Sequence, residues 1–423
     1  MSSILTNNSA MVALQTLNST NRNLANVQNE ISTGLKVSKA KDDAAIWAIS
    51  QVMRSDVKGF EAVSTALGLG AQTLAVASNG ALDTGEQLKS MYQKIVNASE
   101  ENIDSGVLQE SISAFVDQIT ANGKASQFNG LNLIENKELV AEGAAVTTAN
   151  IVANIGSRVN SILSSLDRQS NQSVTTSKIE VNKQDLTTRS AVAGAGTDLA
   201  ASAVTTAAIA DGATGTITIA GDTATAARMG NAVLAGDSYA LTAASLGLSE
   251  DVLYVAKDGD TVDDIAKGLS DRINLQAAKD RIAISTTVEG GVITLTNNTG
   301  SAVTASATLN TGGTASGGLE VLNMIDVTTQ EGADAALAVI NGLIQSTSLS
   351  QATLGNAEMR VEAQSNFISK LTDSFKAGIG ALVDADMEAA AARLQALQVQ
   401  QQLGTQALSI ANQAPQAILS LFR

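Results

Sequence analysis

A mainly α-helical fold is predicted: a long coiled-coil-like bundle formed by pairing the N- and C-terminal segments, with an α+β or mainly β outer domain inserted between them. Three observations predict it. Helical hydrophobic repeats occupy both ends of the chain. The centre switches to short alternating runs bounded by Gly. Aromatic residues are only 2% of the 423 residues, and a single proline, Pro415, interrupts them. Small apolar side chains, not bulky anchors, must therefore supply the packing of long helices.

In residues 1–40, Leu14, Leu17, Leu24, Ile31 and Leu35 fall on one 3-4 grid, with Asn21 and Gln28 as its polar members. Residues 41–165 read as further helix, periodic around Ala44–Val63, Thr73–Ser99 and Val107–Ala121, with a turn at Phe128-Asn129-Gly130. Residues 170–325 are rich in Thr, Gly, Ala and Asp. Thr216-Ile217-Thr218-Ile219 and Val292-Ile293-Thr294-Leu295-Thr296 alternate like strands, and Asp260-Thr261 is placed to cap a helix from Val262 to about Asn274. Gly312-Gly313 and Gly317-Gly318 read as the exit linker of this insert. Residues 333–380 form one long returning helix. Val383, Met387, Ala390, Leu394, Leu397, Leu408 and Ala411 then lie on a second grid, broken at Gln401 and Gly404. Each grid is a narrow stripe that buries too little to hold a lone helix, so the two ends are expected to pack on each other. The expected organisation is 1–40 with 385–423 as paired terminal helices, 41–168 with 328–384 as a flanking helical domain, and 169–327 as the insert.

The chain contains no His and no Cys. That excludes Ser-His-Asp and Cys-His nucleophile systems, His or thiolate metal sites and disulfides, and no cofactor is expected. The net charge of −15 argues against nucleic acid and against an anionic membrane surface as partners. The charge is unevenly placed: residues 1–40 carry +2, residues 385–423 carry 0, and the middle carries −17. From Leu394 to Phe422, 29 residues pass without Asp, Glu, Lys or Arg. No apolar run approaches the roughly 18–20 residues of a membrane span. The first charge is Arg22, so no basic segment precedes an apolar core, and a cytosolic location or an export route that reads no such signal is expected.

Candidate chemistry is sparse. Asp384, Asp386 and Glu388 alternate like a calcium loop but lack its Gly, and solvated or salt-bridged helix residues are the better reading. Asp42-Asp43 beside Lys41 has the composition of an acid pair, yet no polar cluster completes a site, so a helix-start cap is favoured. Gly68-Leu69-Gly70 and Gly378-Ile379-Gly380 lack the preceding strand and the third Gly of a dinucleotide loop. Asn97-Ala98-Ser99 is a glycosylation triplet of the kind this composition produces by chance. Trp47 reads as a packing anchor. Catalysis is not expected.

The segment ISTGLKVSKAKDDAAIWAIS, Ile31–Ser50, closely resembles the N-terminal signature of bacterial flagellin, through Gly34, Lys41, Asp42 and Asp43. ALSIANQAPQAILSLFR, Ala407–Arg423, resembles the flagellin ending, with Asn412, Gln413 and Pro415. Asp384-Ala385-Asp386 sits where that family has an Asp-x-Asp turn between two long helices, and SQFNG matches its Phe-Asn-Gly turn at Phe128, Asn129 and Gly130. The resemblance covers about residues 1–135 and 335–423. Lys257–Thr308 more weakly resembles a small repeat found in flagellin insertions.

The resemblance implies a subunit of a hollow helical filament used for swimming, exported unfolded through a type III machine and placed in the extracellular flagellum. Many copies of the chain are the implied partners, along with the hook–filament junction protein, the filament cap protein and an export chaperone. The self-assembly core would hold Leu14, Leu17, Leu24, Ile31, Leu35, Leu394, Leu397, Leu408, Ile418, Leu421 and Phe422, with the terminal helices ordering on assembly. Two alternatives remain open: a hook–filament junction protein, which shares such ends, and a secreted coiled-coil adhesin. The run Ala411-Asn412-Gln413-Ala414-Pro415-Gln416 favours flagellin. Two departures stand out. Ile46-Trp47 replaces a Gly-containing pair, and the hairpin that ordinarily follows Phe-Asn-Gly is hard to place.

The helix that Toll-like receptors read in this family carries an Arg-Val-Arg-Glu-Leu run. Here the matching positions are Ser90, Met91, Tyr92, Gln93 and Lys94, which removes the charge-assisted hydrogen bonds of both arginines. Weak or no receptor activation is expected, and a cell reporter assay against an Arg-bearing flagellin checks it.

Overall fold

Asn7 begins the first helix, α1 (Asn8–Thr33). Its side-chain oxygen accepts from the Ala10 N–H at 3.0 Å, satisfying one of the amides a helix start leaves unpaired. Gly34, at φ 70°, ends α1 in the left-handed conformation. The computed structural model describes residues 7–100, 104–135, 159–168, 173–195, 208–219, 233–242, 246–257, 259–305 and 307–421.

Asp43 starts α2 (Ala44–Ala98), accepting from the N–H groups of Ala45 and Ile46, both at 3.0 Å. The helix runs for 55 residues and joins the two periodic stretches that the sequence separates. Part of it is long and apolar enough to cross a membrane by length and composition, a stretch the residue-by-residue reading passed over. In the fold its Leu67, Leu74, Ala77, Ala81 and Leu88 are buried against protein. Asp104 caps α3 (Ser105–Ala125). The strands β1 (Gln127–Phe128) and β2 (Leu131–Asn132) then close a two-residue hairpin on Asn129 at φ 50° and Gly130 at φ 81°. Positive φ at both centres is the geometry Asn-Gly supplies.

The expectation of helix through residue 165 fails from Val159 on, and its stretch 136–158 lies outside the described residues. Val159–Arg168 is a strand, β3, hydrogen-bonded to β4 (Val174–Asn182). Ile162 and Ser164 both lie buried on one face of β3, the two-residue period of a strand. The Cδ1 of Ile162 lies where a Cβ on Gly70 would need to be, at 2.7 Å, so Gly70 is what lets the strand lie close on α2.

The returning helix is α5 (Gln330–Val383), followed by α6 (Met387–Leu421). By contacts the chain divides into two units, Met1–Thr65 with Ser165–Thr175 and Ser365–Arg423, and Ala66–Ser164 with Thr176–Gln364. In the first, Val37, Val57, Ile379 and Val383 form a core, with Leu35, Ile46, Trp47, Met53 and Phe375 packed around it. Trp47 is thus a packing residue. The Phe60 and Phe375 rings meet edge to face, centroids 5.4 Å apart.

In the second unit the insert is α+β. Strands β5 (Ala213–Thr218), β8 (Ile284–Glu289) and β9 (Val292–Asn297) form one antiparallel sheet in the order β5-β9-β8. The two runs that alternate in the sequence are neighbours in it, Ile217 opposite Ile293. Strands β6 (Ser238–Leu241), β7 (Val252–Val255) and β10 (Ala307–Asn310) form a second, in the order β10-β6-β7. Helix α4 (Val262–Asp280) contributes Ile265, Leu269 and Ile273 to the core, with Ile217, Leu241, Ile293 and Leu295 from the sheets. It runs past the expected end near Asn274 because Leu275 and Ala277 are buried, and it stops at Arg281 in the left-handed conformation.

The glycines expected to form an exit linker are packed instead. The segment after β10 pairs with 187–192 through Val192–Thr314, Arg189–Gly317 and Thr187–Leu319 hydrogen bonds. A Cβ on Gly317 would lie 2.0 Å from the Thr187 carbonyl oxygen, so close backbone approach, not looseness, accounts for the Gly. The segment ends in a 3-10 turn, Glu320–Met324.

Thr261 and Asp264 form a reciprocal capping box at the start of α4. Thr261→Ala is expected to destabilise the insert by about 1 kcal/mol, measured as a lower denaturant midpoint of the full chain's insert transition.

Candidate functional site

The terminal helices α1 and α6 run antiparallel. From 391 to 413, every residue of α6 is exposed except Leu394, Leu397, Gln401, Gly404, Leu408 and Ala411. This is an unbroken 3-4 seam that continues from the buried Ala390. The two positions that look like breaks belong to it. Gln401 donates to the Asn21 side-chain oxygen at 2.9 Å. Gly404 leaves room for Leu17, whose Cδ1 would lie 3.2 Å from a Cβ there.

On α1 the seam is Leu17, Thr20, Leu24, Val27 and Ile31. Leu17, Leu24 and Ile31 are as expected, but Leu14 is 48% exposed and Gln28 faces outward. Thr20 and Val27 take the inward places. Thr20 can be buried because its hydroxyl donates to the Thr16 carbonyl at 3.0 Å.

Polar contacts fix the register. At one end the Ala385 N–H donates to the Gly34 carbonyl at 2.9 Å, and Lys36 N–H donates to Val383 at 2.7 Å, so Leu35 and Asp384 bridge like strand residues. At the other end the Asn7 amide donates to the Ala411 carbonyl at 2.7 Å. That carbonyl is available because its usual helical donor would be residue 415, and Pro415 has no N–H. Asn7 therefore uses both ends of its amide, one to cap α1 and one to occupy the acceptor that proline frees. Sequence reasoning missed Asn7, although a polar cap before a helical run and a proline inside one were both visible.

The acidic candidates are structural. Asp386 accepts from the N–H groups of Glu388 and Ala389, both at 3.1 Å, and so starts α6. Asp384 is exposed. Asp42 accepts from the N–H groups of Ser38 at 3.1 Å and Lys39 at 2.9 Å, and from the Ser38 hydroxyl. The Lys39 N–H above all holds its carboxyl below the usual range. Lys41 is exposed. Among the described residues no cluster of His, Cys, Asp or Glu is arranged to hold a metal.

The outer faces of the pair remain unpartnered. On α6, Met387, Val399, Leu403 and Ile410 are exposed, Leu403 at 58% and Ile410 at 69%, as are Met11, Val12 and Leu14 on α1. An apolar groove of about 280 Å³ in the same unit is lined by Gly59, Phe60, Leu166, Val174 and Phe375 among others. Asn412 and Gln413 are exposed on α6. Ile418 and Leu421 lie in the same helix, their side chains outside the described residues, and Phe422 is outside them altogether. In the 90–94 region of α2, Met91 is fully buried, Ser90 donates to the Glu86 carbonyl at 3.0 Å, Tyr92 and Lys94 are half-buried, and Gln93 is exposed.

Residues 4–138 match the family profile described as the bacterial flagellin N-terminal helical region, and residues 337–422 match the C-terminal helical region. Over 439 residues the chain is 32% identical to Flagellin A of Rhizobium meliloti, with both chains covered in full. It is 30% identical over 426 residues to Flagellin of Brucella melitensis, again with full coverage. Among solved structures, FliC from Burkholderia pseudomallei is similar at 13% identity, covering 69% of this chain and 99% of that one with a TM-score of 0.30. Flagellar hook associated protein-3 from Legionella pneumophila is similar at 12% identity, covering 78% and 98%, with a TM-score of 0.39.

Pro415→Ala supplies the missing N–H to Ala411 and removes Asn7's partner. With α1 and α6 paired, hydrogen exchange at the Ala10 and Met11 amides is expected to quicken about fivefold. The same substitution in an Asn7→Ala background is expected to change nothing further there.

Proposed function

The chain belongs to the bacterial flagellin family, and we propose that the outer faces of its paired terminal helices are where copies of it meet in the flagellar filament. Flagellins are structural proteins, and this chain is a subunit of that filament, which serves motility. The observation that supports the assembly surface is that α6 has two apolar faces and no charge from Leu394 to its end. One face meets α1. The other leaves Val399, Leu403 and Ile410 in water, and burying side chains of this size is worth about 1.5–3 kcal/mol each.

Charge-free packing suits that role. An ionised group buried among repeated copies would need a partner in every one of them, and breaking such a pair costs about 3–5 kcal/mol. The contact must be heterologous, one patch meeting a different patch, because such contacts propagate as an open helix instead of closing. Alone, the outer faces of the paired termini lack burial partners and the seam is a narrow one, so assembly and ordering of α1 and α6 are coupled. Gln, Ser and Thr on the remaining faces would give a central channel a neutral polar wall.

In this reading residues 1–40 and 385–423 form the inner layer, 41–168 and 328–384 the second, and 169–327 project outward. The self-assembly residues are Leu14, Leu17, Leu24, Ile31, Leu35, Leu394, Leu397 and Leu408, with Ile418, Leu421 and Phe422. The chain is extracellular and not an enzyme. Its partners are its own copies, the junction and cap proteins at the filament ends, and an export chaperone. Receptor activation is weak because residues 90–94 lack the two arginines.

Leu403→Asp tests the outer face without touching the seam. Electron microscopy of the purified variant under conditions that polymerise the native protein is expected to find no filaments. Leu397→Asp, in the seam, is expected to do the same with the insert still folded. Circular dichroism should record a gain of helix when the native chain polymerises. Normal filaments from Leu403→Asp, or equal helix content in native monomer and filament, would overturn the reading.

A further inference from the structure

The second unit holds a charged cluster that plays no part in the assembly surface. Arg272 on α4 is 4% exposed. Its guanidinium donates to the Gly268 carbonyl at 2.9 Å, pairs with the Glu320 carboxylate, and reaches the Ser316 hydroxyl at 3.4 Å. It also lies over the Tyr254 ring, 5.0 Å from the centroid. The second Glu320 oxygen accepts the Ala191 N–H at 2.8 Å. The Tyr254 hydroxyl donates to Asp260 at 2.7 Å, and Asp260 also accepts the Lys257 N–H at 2.7 Å.

These residues come from three places. Ala191 lies on the segment that enters the two-sheet module. Ser316 and Glu320 lie on the segment that leaves it. Tyr254, Asp260 and Arg272 belong to the module itself. The entering and leaving segments already pair with each other through Val192–Thr314 and Thr187–Leu319. Arg189 on the entering segment reaches Asp185 at 3.4 Å and the Ala315 carbonyl at 3.1 Å, tying the ribbon again. The Lys257 amine is pushed down, and the Asp185 carboxyl up, mainly by burial.

An isolated guanidinium this deeply buried is costly, and well-packed apolar side chains commonly stabilise as well as a buried ion pair does. What the pair adds is direction. Arg272 finds its partners only when the module and the leaving turn are both in place, and the Glu320 carboxylate it pairs with is in turn fixed by the Ala191 N–H of the entering segment. We propose that Arg272 is a pin that locks the two-sheet module onto its paired connecting segments, so that the module is held in one orientation on that ribbon instead of swinging from it.

Hydrogen exchange on the full-length protein tests this. In Arg272→Met, the amides of Ala191, Val192 and Thr314 are expected to exchange at least about tenfold faster, while those of β9 change by less than about twofold. Glu320→Gln, which keeps an oxygen to accept from Ala191 but loses the charge, separates unlocking from unfolding, and the same selective rise at a smaller size is expected. No rise at Ala191, Val192 and Thr314 in either variant, or a rise of equal size in β9 in both, overturns the proposal.

Discussion

One constraint governs the terminal helices: α1 and α6 must bury a seam without using charge. Heptad packing gives each helix only a narrow strip of contact. Within that strip every side chain has to be small, apolar or paired with a defined partner. Leu394, Leu397 and Leu408 supply the apolar share, Gly404 makes room for Leu17, and Gln401 finds Asn21. The turn at 384–386 follows from the same constraint. It joins α5 to α6 and is itself tied to the end of α1 through Gly34 and Ala385. The two apolar faces of α6 then differ in their standing, the inner one satisfied by α1 within the chain and the outer one left exposed.

Much of this was legible in the residues because periodicity reports directly on which face is covered. The α6 grid could be read from 390 to 411, yet Gln401 and Gly404 looked like defects, since residue type alone cannot say that a glutamine has a partner 380 positions away. On α1 the grid was half right. Ala13, not Leu14, takes the half-buried place before Leu17, and Thr20, its hydroxyl satisfied by its own helix, is buried beside an exposed Asn21. The helical periodicity that supports helix through 165 ends at about Ala121, and β3 lies beyond it. The burial of Ser164 that marks a strand face exists only once the fold has formed. The paired glycines after β10 were read as slack, when what they permit is backbone pressed on backbone.

The insert follows a different economy from the terminal helices. Its core is a conventional aliphatic one beneath two small sheets, with α4 completing it. At its root a buried ion pair, Arg272 with Glu320, meets the connecting segments. The same chain thus keeps ions out of the α1–α6 seam and buries a paired one where the two-sheet module meets its stem. Those are the two circumstances in which desolvating an ion is respectively ruinous and useful.

Asn7 carries a chemical vulnerability that no apolar residue of the seam shares. Hydrolysis of its amide to a carboxylate would leave the cap on Ala10 intact, since either oxygen can accept. The contact with Ala411 would reverse in character, an anionic oxygen facing a carbonyl oxygen where a donor had been. A subunit hydrolysed at this position would lose its grip at one end of the seam only, while the Gly34–Ala385 end holds.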